Sequence, residues 1–414
     1  MTTRTEKYPA IGDADRGHEM IEWVRRNSPV LDGYVRKVLS DGSIKGRRVA
    51  VVVHLEAKTA FLATVLADAG AEVVAAGSNP RTTHADVVAA LRDRGIQVVA
   101  DAGGDHTTWE RELLSVGDYR PEFIVDDGAE VTMRLALHRP DVFAGIAGVS
   151  EETTTGTARL EAMFRAGRLS FGALTANDAR CKHLFDNRFG TGQTTIQALL
   201  SLTGMSMAGS KIAVIGYGYV GRGIAQYAHG LGGRVLVVET DPVRSLEANM
   251  DGHQVGTAAD LLPEADAVLT ATGGMRAVGA PEIAVLRNGA VLANAGHHDL
   301  EVDVEYLAEA STSPPEVEGE VTTYTLGDRK LDVLSGGALV NIAGGSGHPV
   351  EIMDLTFAVQ GLGVHHLVNQ KLAPGVHVLP KELDDAIAAA NLESRGIVLD
   401  DIRPDQFDDF SDWK

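Results

Sequence analysis

The chain has 414 residues, 44% apolar and 23% charged, which is the make-up of a soluble globular protein with room for two or three domains. A formal charge of −20 sets it against nucleic acid and against anionic membrane surfaces, so a small molecule is the expected partner. One cysteine, Cys181, forbids an internal disulfide and fits a reducing, cytoplasmic setting; no apolar run approaches a membrane span and the first residues carry no signal-peptide apolar region.

Apolar spacing predicts a helix over residues 18–40, through Met20, Ile21, Val24, Val30, Leu31, Tyr34, Val35 and Leu39. "GRRVAVVVHLE" follows, a β-branched run of the kind buried on both faces of a parallel sheet. Helix (58–69), strand "AEVVAAG", helix (85–94) and strand "IQVVAD" come next, then "EFIVDDG", ending in Asp126 and Asp127, and a strand end running into "SEETTTG". This alternation implies α/β layers. Near residue 190 the pattern restarts with "KIAVIGYGYVGRGIAQYAHGLGGRVLVVETDP" and continues through "AVLTATGG" and "AVLANAGHHD". Residues 313–335 are polar and read as a hairpin or edge structure, helical apolar pattern returns at 350–362 and 381–391, and the tail is acidic.

Gly216, Gly218 and Gly221 form G-x-G-x-x-G directly after the strand "KIAVI". The first glycine permits the tight turn, the second lets backbone approach a pyrophosphate, and the third allows close helix–strand packing. The phosphates then meet free N–H groups at a helix start, where Tyr219 and Val220 lie. Glu239 ends the next strand, placed to accept from ribose hydroxyls and to repel a 2′-phosphate, so NAD is expected rather than NADP. Arg244 is read as an exposed arginine, and Thr272, in "AVLTATGG", is a further cofactor-binding candidate. In "NDARCKHLFDN", Lys182 and Asp186 stand four apart, which on a helix is most simply a surface ion pair. His54 and Asp127 fall at strand C-termini, where α/β sheets bind ligands. The histidines lack metal-ligand spacing, so no metal is expected.

The strings "VSEETTTG", "NDARCKHLFDN", "GYGYVGRGIAQ", "NAGHHDLEVD", "LVNIAGGSGHP" and "PGVHVLPKELDDAIA" resemble the S-adenosylhomocysteine hydrolase family, over about residues 44–400. The resemblance implies an α/β fold of two Rossmann-like doubly wound domains: a discontinuous substrate domain (1–187 plus 346–395) and an inserted NAD-binding domain (188–345), before a C-terminal tail (396–414). It implies an NAD regenerated in each turnover. It implies that Lys182 and Asp186 hold the ribose 2′ and 3′ hydroxyls, with Lys182 helping to take the 3′-hydroxyl proton. Glu152 matches a ribose-binding glutamate, and Asn177 a residue near the reacting sugar. His54, Asp127 and His297 match groups around the 5′ position. Asn187, Thr153, Thr154 and Thr155 match cofactor contacts, and Asn341 and His348 match residues at the nicotinamide end and the base pocket. A ketone at C3′ acidifies the C4′ hydrogen, after which the 5′ substituent leaves. The lysine must lose its proton near neutrality, which burial and nearby positive charge favour.

The rim departs from the family pattern. Where members usually read His-x-Thr-x-Glu, this chain has His54-Leu55-Glu56-Ala57-Lys58, followed by Thr59. Glu56, Lys58 and Thr59 therefore stand as substrate-binding candidates, with a charge reversal at Lys58. The family's S-T-Q-D is "TTHA" (82–85), and its cysteine past the D-N pair is Thr191. The family's lysine- and tyrosine-bearing tail is not matched by the end, Trp413-Lys414, although a homodimer or homotetramer is still expected. These departures favour a nucleoside dehydratase of the angustmycin-pathway type, eliminating water to give an exocyclic enol ether. The alternative is adenosylhomocysteinase activity with a rearranged rim, and the third reading is a non-catalytic nucleotide-binding protein.

Overall fold

The computed structural model describes residues 12–296, 299–345 and 347–401. Two sheets organise them. The first contains β1 (Arg48–Val53), β2 (Glu72–Gly77), β3 (Gln97–Val99), β4 (Phe123–Asp126), β5 (Gly148–Glu151), β6 (Gly172–Thr175) and, from far along the chain, β15 (Gly375–Val378). Their order is β15-β6-β5-β4-β1-β2-β3, every pairing parallel. The second contains β7 (Lys211–Ile215), β8 (Arg234–Val238), β9 (Gln254–Val255), β10 (Ala267–Thr270), β11 (Val291–Asn294), β12 (Glu316–Glu318), β13 (Val321–Leu326) and β14 (Arg329–Leu334). Its order is β12-β13-β14-β11-β10-β7-β8-β9, parallel except for the antiparallel β12-β13-β14 edge, which accounts for the polar segment at 313–335. The fold is thus two doubly wound α/β units, one inserted in the other.

Burial explains the strand composition. Every residue of β1 after Arg48 is buried, because helices cover both faces. On one side lies Val350–Asn369, a helix apolar nearly all round, packed on β4 and β5. The single helix predicted over 18–40 is instead three pieces: Ala14–Arg26, a π-helical turn Val30–Val35, and Arg36–Leu39. Pro29 disfavours helical backbone at Ser28. Buried Asp354 then accepts the Val30 and Leu31 N–H groups at 2.9 and 2.7 Å and caps a fresh start.

The chain leaves the first unit through a π-helical stretch, His183–Gly190, that runs into the helix Thr191–Thr203. It returns through Val340–Ala343 to the start of Val350–Asn369. The outgoing crossing packs tightly: a Cβ on Gly223 would lie 1.8 Å from the Arg188 carbonyl oxygen, and one on Gly192 would lie 2.5 Å from the Gly223 carbonyl carbon. Backbone meets backbone there, so no side chain can yield. Gly223→Ala is expected to lower stability by roughly 2 kcal/mol or more, read as a fall in the urea midpoint at unchanged slope.

Candidate functional site

In the first sheet the chain winds outward from β1 in both directions, so β1 and β4 are neighbours at a topological switch point. His54 follows β1, Asp127 follows β4, Glu152 follows β5 and Asn177 follows β6, which brings four candidates to one edge of the sheet. Lys182, ending the short helix Arg180–Lys182, and Asp186, in the π-helical crossing that follows, complete the group. They are not a surface pair: Lys182 is 4% exposed and Asp186 2%. Lys182 Nζ lies 2.7 Å from Asn187 Oδ1, 3.5 Å from Asp186 Oδ2 and 3.6 Å from Glu152 Oε1. Asn187 Nδ2 donates in turn to Asn177 Oδ1 at 3.0 Å.

Both carboxylates are held from behind. Thr356 Oγ donates to Asp186 Oδ2 at 2.9 Å, and His348 Nδ1 lies 2.9 Å from Asp186 Oδ1. Gln360 Nε2 donates to Glu152 Oε2 at 2.5 Å. Thr191 Oγ lies 3.1 Å from His348 Nε2, so His348 faces the Asp186 carboxylate on one side and the first helix of the inserted unit on the other. Sequence reasoning marks Thr191 only as a departure from the family pattern and does not single out Thr356, Gln360 or Glu301. Thr356 and Gln360, four apart on the buried stretch of Val350–Asn369, are the visible signal.

The electrostatics correct the expectation for Lys182. Burial pulls its pKa down, but Asp186, Glu152 and Asp127 outweigh burial and hold the ammonium above its ordinary value. The lysine was expected to be loosened by positive charge; the structure surrounds it with negative charge instead. Burial works against the Asp186 carboxylate too, yet Lys182 and His348 keep it well below the usual carboxylate range. Glu152 goes the other way: burial, with Asp186 and Asp127 adding to it against the pull of Lys182, raises it to about 8.

Of the consecutive aspartates, Asp126 is structural. It accepts from Val131 N, Thr132 N and the Thr132 hydroxyl, and burial raises it to about 7. Asp127 faces the site, 3.5 Å from His54 Nε2, and accepts from Ser78 Oγ at 2.6 Å. His54 Nδ1 lies 2.7 Å from Thr82 Oγ, so the altered "TTHA" string still orients that imidazole. His297 lies outside the described residues, as does the tail from 402.

At the rim, Glu56 caps the helix Ala57–Asp68 by accepting Lys58 N–H, and its Oε2 also lies 2.9 Å from Lys58 Nζ. Thr59 is buried, and its hydroxyl donates to the His54 carbonyl at 2.6 Å, fixing the turn. Thr153 is the N-cap of Thr154–Arg165, on whose first turn Thr154 and Thr155 sit; Thr153 hydrogen-bonds with Glu151, Gly128 and Gly156, all within the first α/β unit.

In the second sheet the switch point lies between β7 and β10. Gly216 has φ +95°, a left-handed conformation at the end of β7, and a Cβ on Gly221 would lie 1.9 Å from the Gly216 carbonyl oxygen. Gly218 precedes the helix Tyr219–Gly230 with no side-chain cap, leaving the first-turn N–H groups of Tyr219 and Val220 for a ligand. Glu239 accepts from Tyr217, Thr240 and Asp241 N–H groups, which overcome burial and keep it ionised; Arg244 is exposed, as expected. Thr272 is organised by fully buried Glu301, which accepts its N–H and hydroxyl at 2.9 Å and Gly273 N–H at 2.7 Å. Asn341 is fully buried; its Nδ2 donates to Thr194, and its Oδ1 has no hydrogen-bond partner among the described residues. A tight glycine cradle, an ionised acid on the next strand and an orphaned buried amide oxygen suit a dinucleotide with a carboxamide at one end. Among the described residues no cluster of metal-ligating side chains occurs and no helix is long and apolar enough to cross a membrane.

Residues 187–347 match the family described as S-adenosyl-L-homocysteine hydrolase, NAD binding domain, and residues 7–139 match S-adenosyl-L-homocysteine hydrolase. The chain belongs to that family. It is 43% identical to adenosylhomocysteinase of Thermotoga maritima over 96% of this chain and 99% of the relative. It is 40% identical to S-inosyl-L-homocysteine hydrolase of Methanosarcina mazei over 97% and 98%, and 42% identical to adenosylhomocysteinase of Gloeobacter violaceus over 97% and 94%. NAD is therefore the cofactor, and the family is one of enzymes acting on small nucleoside substrates.

The Glu152 shift has a signed consequence. An acid whose pKa rises on folding binds more protons folded than unfolded, so stability falls as pH climbs from the ordinary 4.5 towards about 8. Over that window the thermal midpoint of Glu152→Gln should fall less steeply with pH than that of the wild type; identical slopes would remove Glu152 as a buried titrating group.

Proposed function

We propose that the chain is an NAD-dependent hydrolase of a purine-nucleosyl homocysteine thioether, acting by oxidation at C3′, elimination across C4′–C5′ and addition of water. The observation that carries this reading is the buried Lys182 set between Asp186 and Glu152 at the carboxyl ends of the first sheet. Three ionisable side chains at that depth are costly unless they serve a polar ligand.

Bound NAD supplies a hydride acceptor and later returns the hydride. The protein's own residues do the rest. Asp186, Lys182 and Glu152 hold the ribose 2′ and 3′ hydroxyls, and Lys182 governs the 3′-hydroxyl proton. Asn177 and Asn187 fix the direction of the ammonium. His54, oriented by Thr82 and paired with Asp127, exchanges protons at C4′ and with the 5′ leaving group, together with His297. Gly216, Gly218, Tyr219, Val220 and Gly221 seat the pyrophosphate, Glu239 the ribose of the adenosine half, and Asn341 the carboxamide, with Thr272 alongside.

Hydrolysis is preferred to the dehydratase reading on two counts. The full-length relatives are named as hydrolases of homocysteine thioethers. The charge reversal at Lys58 that suggested a changed reaction is neutralised locally by Glu56. The Glu56–Lys58 pair offers both an acceptor and a donor at the rim, which suits a 6-amino or a 6-oxo purine.

Incubation with S-adenosyl- and S-inosyl-homocysteine and a thiol reagent should release thiol from at least one of them, and deuterium at C3′ should pass through the nicotinamide ring. Elimination of water from a free nucleoside with no thiol release from either thioether would reinstate the dehydratase. Lys182→Met should slow nicotinamide reduction by roughly 10²–10⁴-fold while NAD stays bound, as expected for loss of a positioned acid–base group; an active variant would take Lys182 out of its role.

A further inference from the structure

Lys182 raises a problem of proton supply. An ammonium has three N–H donors and no lone pair. Here its neighbours are three acceptors: Asn187 Oδ1, Asp186 Oδ2 and Glu152 Oε1. It can receive the 3′-hydroxyl proton only if it first gives one of its own away. The Asn187 amide oxygen is not a proton acceptor at neutral pH. Asp186 is held ionised by Thr356, His348 and Lys182 together. Glu152 remains.

The environment of Glu152 suits that part. Its Oε2 is occupied by the Gln360 amide at 2.5 Å, which leaves Oε1, the oxygen facing Lys182, as the one free to be protonated. Gln360 is fully buried, and its own Oε1 has no partner among the described residues. A half-satisfied amide that is fully buried costs stability that a leucine would not. The hydrogen bond to Glu152 is what the residue gives in return.

We propose that Glu152 is the proton store for Lys182, and that Gln360 is the positioning residue that directs the stored proton to the oxygen facing the lysine. This rests on the C3′ oxidation proposed above. The reacting form is the one with Glu152 ionised: as the C3′ hydride departs, the 3′-hydroxyl proton passes to Lys182 Nζ, and Nζ releases one of its own protons to Glu152 Oε1, converting carboxylate to acid. The lysine is an ammonium before and after. When the hydride returns to C3′, both proton steps reverse. The groups that set the Glu152 titration are Lys182 and Asp186 on the crossing and Asp127 after β4, with His54 beyond Asp127 and His348 beyond Asp186; the raised value of about 8 is compatible with gain and loss of a proton near neutrality.

The test uses the NAD-bound protein and Gln360→Met, which keeps volume and removes the donor. The carboxylic-acid infrared band that Glu152→Gln abolishes identifies Glu152, and its pH titration is followed without substrate. Gln360→Met should move that midpoint to higher pH, because a donor to the carboxylate is lost. In turnover it should slow nicotinamide reduction about tenfold or more, shift the pH profile in the same direction, and change nucleoside KM by less than about threefold. A folded Gln360→Met protein with an unmoved Glu152 titration and an unmoved pH profile overturns the proposal. If that variant does not fold, Gln360→Glu keeps the size and sets a second carboxyl against Glu152, and the same upward shift is required. A wild-type protein that reduces no nicotinamide with any nucleoside refutes the proposed reaction, while the infrared titration still decides the Glu152–Gln360 link.

Discussion

The structure depends on keeping one ammonium out of water. Removing such an ion from solvent costs several kcal/mol even after the surroundings relax, and only close, well-aligned partners offset it. Lys182 has two carboxylates and an amide oxygen within reach. Two ionised carboxylates against one ammonium would leave a net negative charge buried. The raised pKa of Glu152 eases this: by taking up a proton around pH 8 or below, Glu152 lets the cluster pass from two carboxylates against one ammonium to one ion pair, Lys182 with Asp186, beside a neutral acid. The arrangement that makes the burial tolerable also makes one of its members titrate in the working range.

The partners of the cluster come from both sides of the insertion. Glu152, Asn177, Lys182 and Asp186 precede the second sheet in sequence, whereas His348, Thr356 and Gln360 follow it. Until the inserted unit closes and brings its two ends together, Asp186 and Glu152 lack their backing. The tight approach of Gly223 to Arg188, and the Thr191–His348 contact, sit where those ends meet. The inserted unit and the Lys182 cluster are thus parts of one packing problem, since the backing of Asp186 and Glu152 comes from the returning chain.

What the sequence made legible was local. The glycine turn after "KIAVI" needs a left-handed residue and a close helix, and Gly216 and Gly221 supply them within six positions. Alternating buried strands and helices gave both sheets, and the Lys182–Asp186 spacing gave the pair, although through a π-helical backbone. What stayed hidden was non-local. Nothing near Lys182 in the chain announces that Glu152 and Asp127 crowd it, so its protonation was misjudged. Asp126 and Asp127 are indistinguishable until the strand end shows which one turns back onto Thr132. Thr356 and Gln360 carry no motif; only their polarity on the buried stretch of Val350–Asn369 marks them. Glu301 acts through Thr272 across a loop that no periodicity describes.

The rim shows the same limit in a different form. Read along the chain, Lys58 is a cation where the family usually has an acid, and a changed reaction follows naturally. On a regular helix, residues two apart do not face each other, so Glu56 would be no partner for Lys58. Glu56, however, is the N-cap, with extended backbone at φ −127° and ψ −176°, and lies outside the helical screw. From there its carboxylate accepts Lys58 N–H and meets Lys58 Nζ as well. One residue's departure from helical geometry converts a charge reversal into a paired donor and acceptor. The pair carries no net charge, and what it presents is a donor and an acceptor side by side.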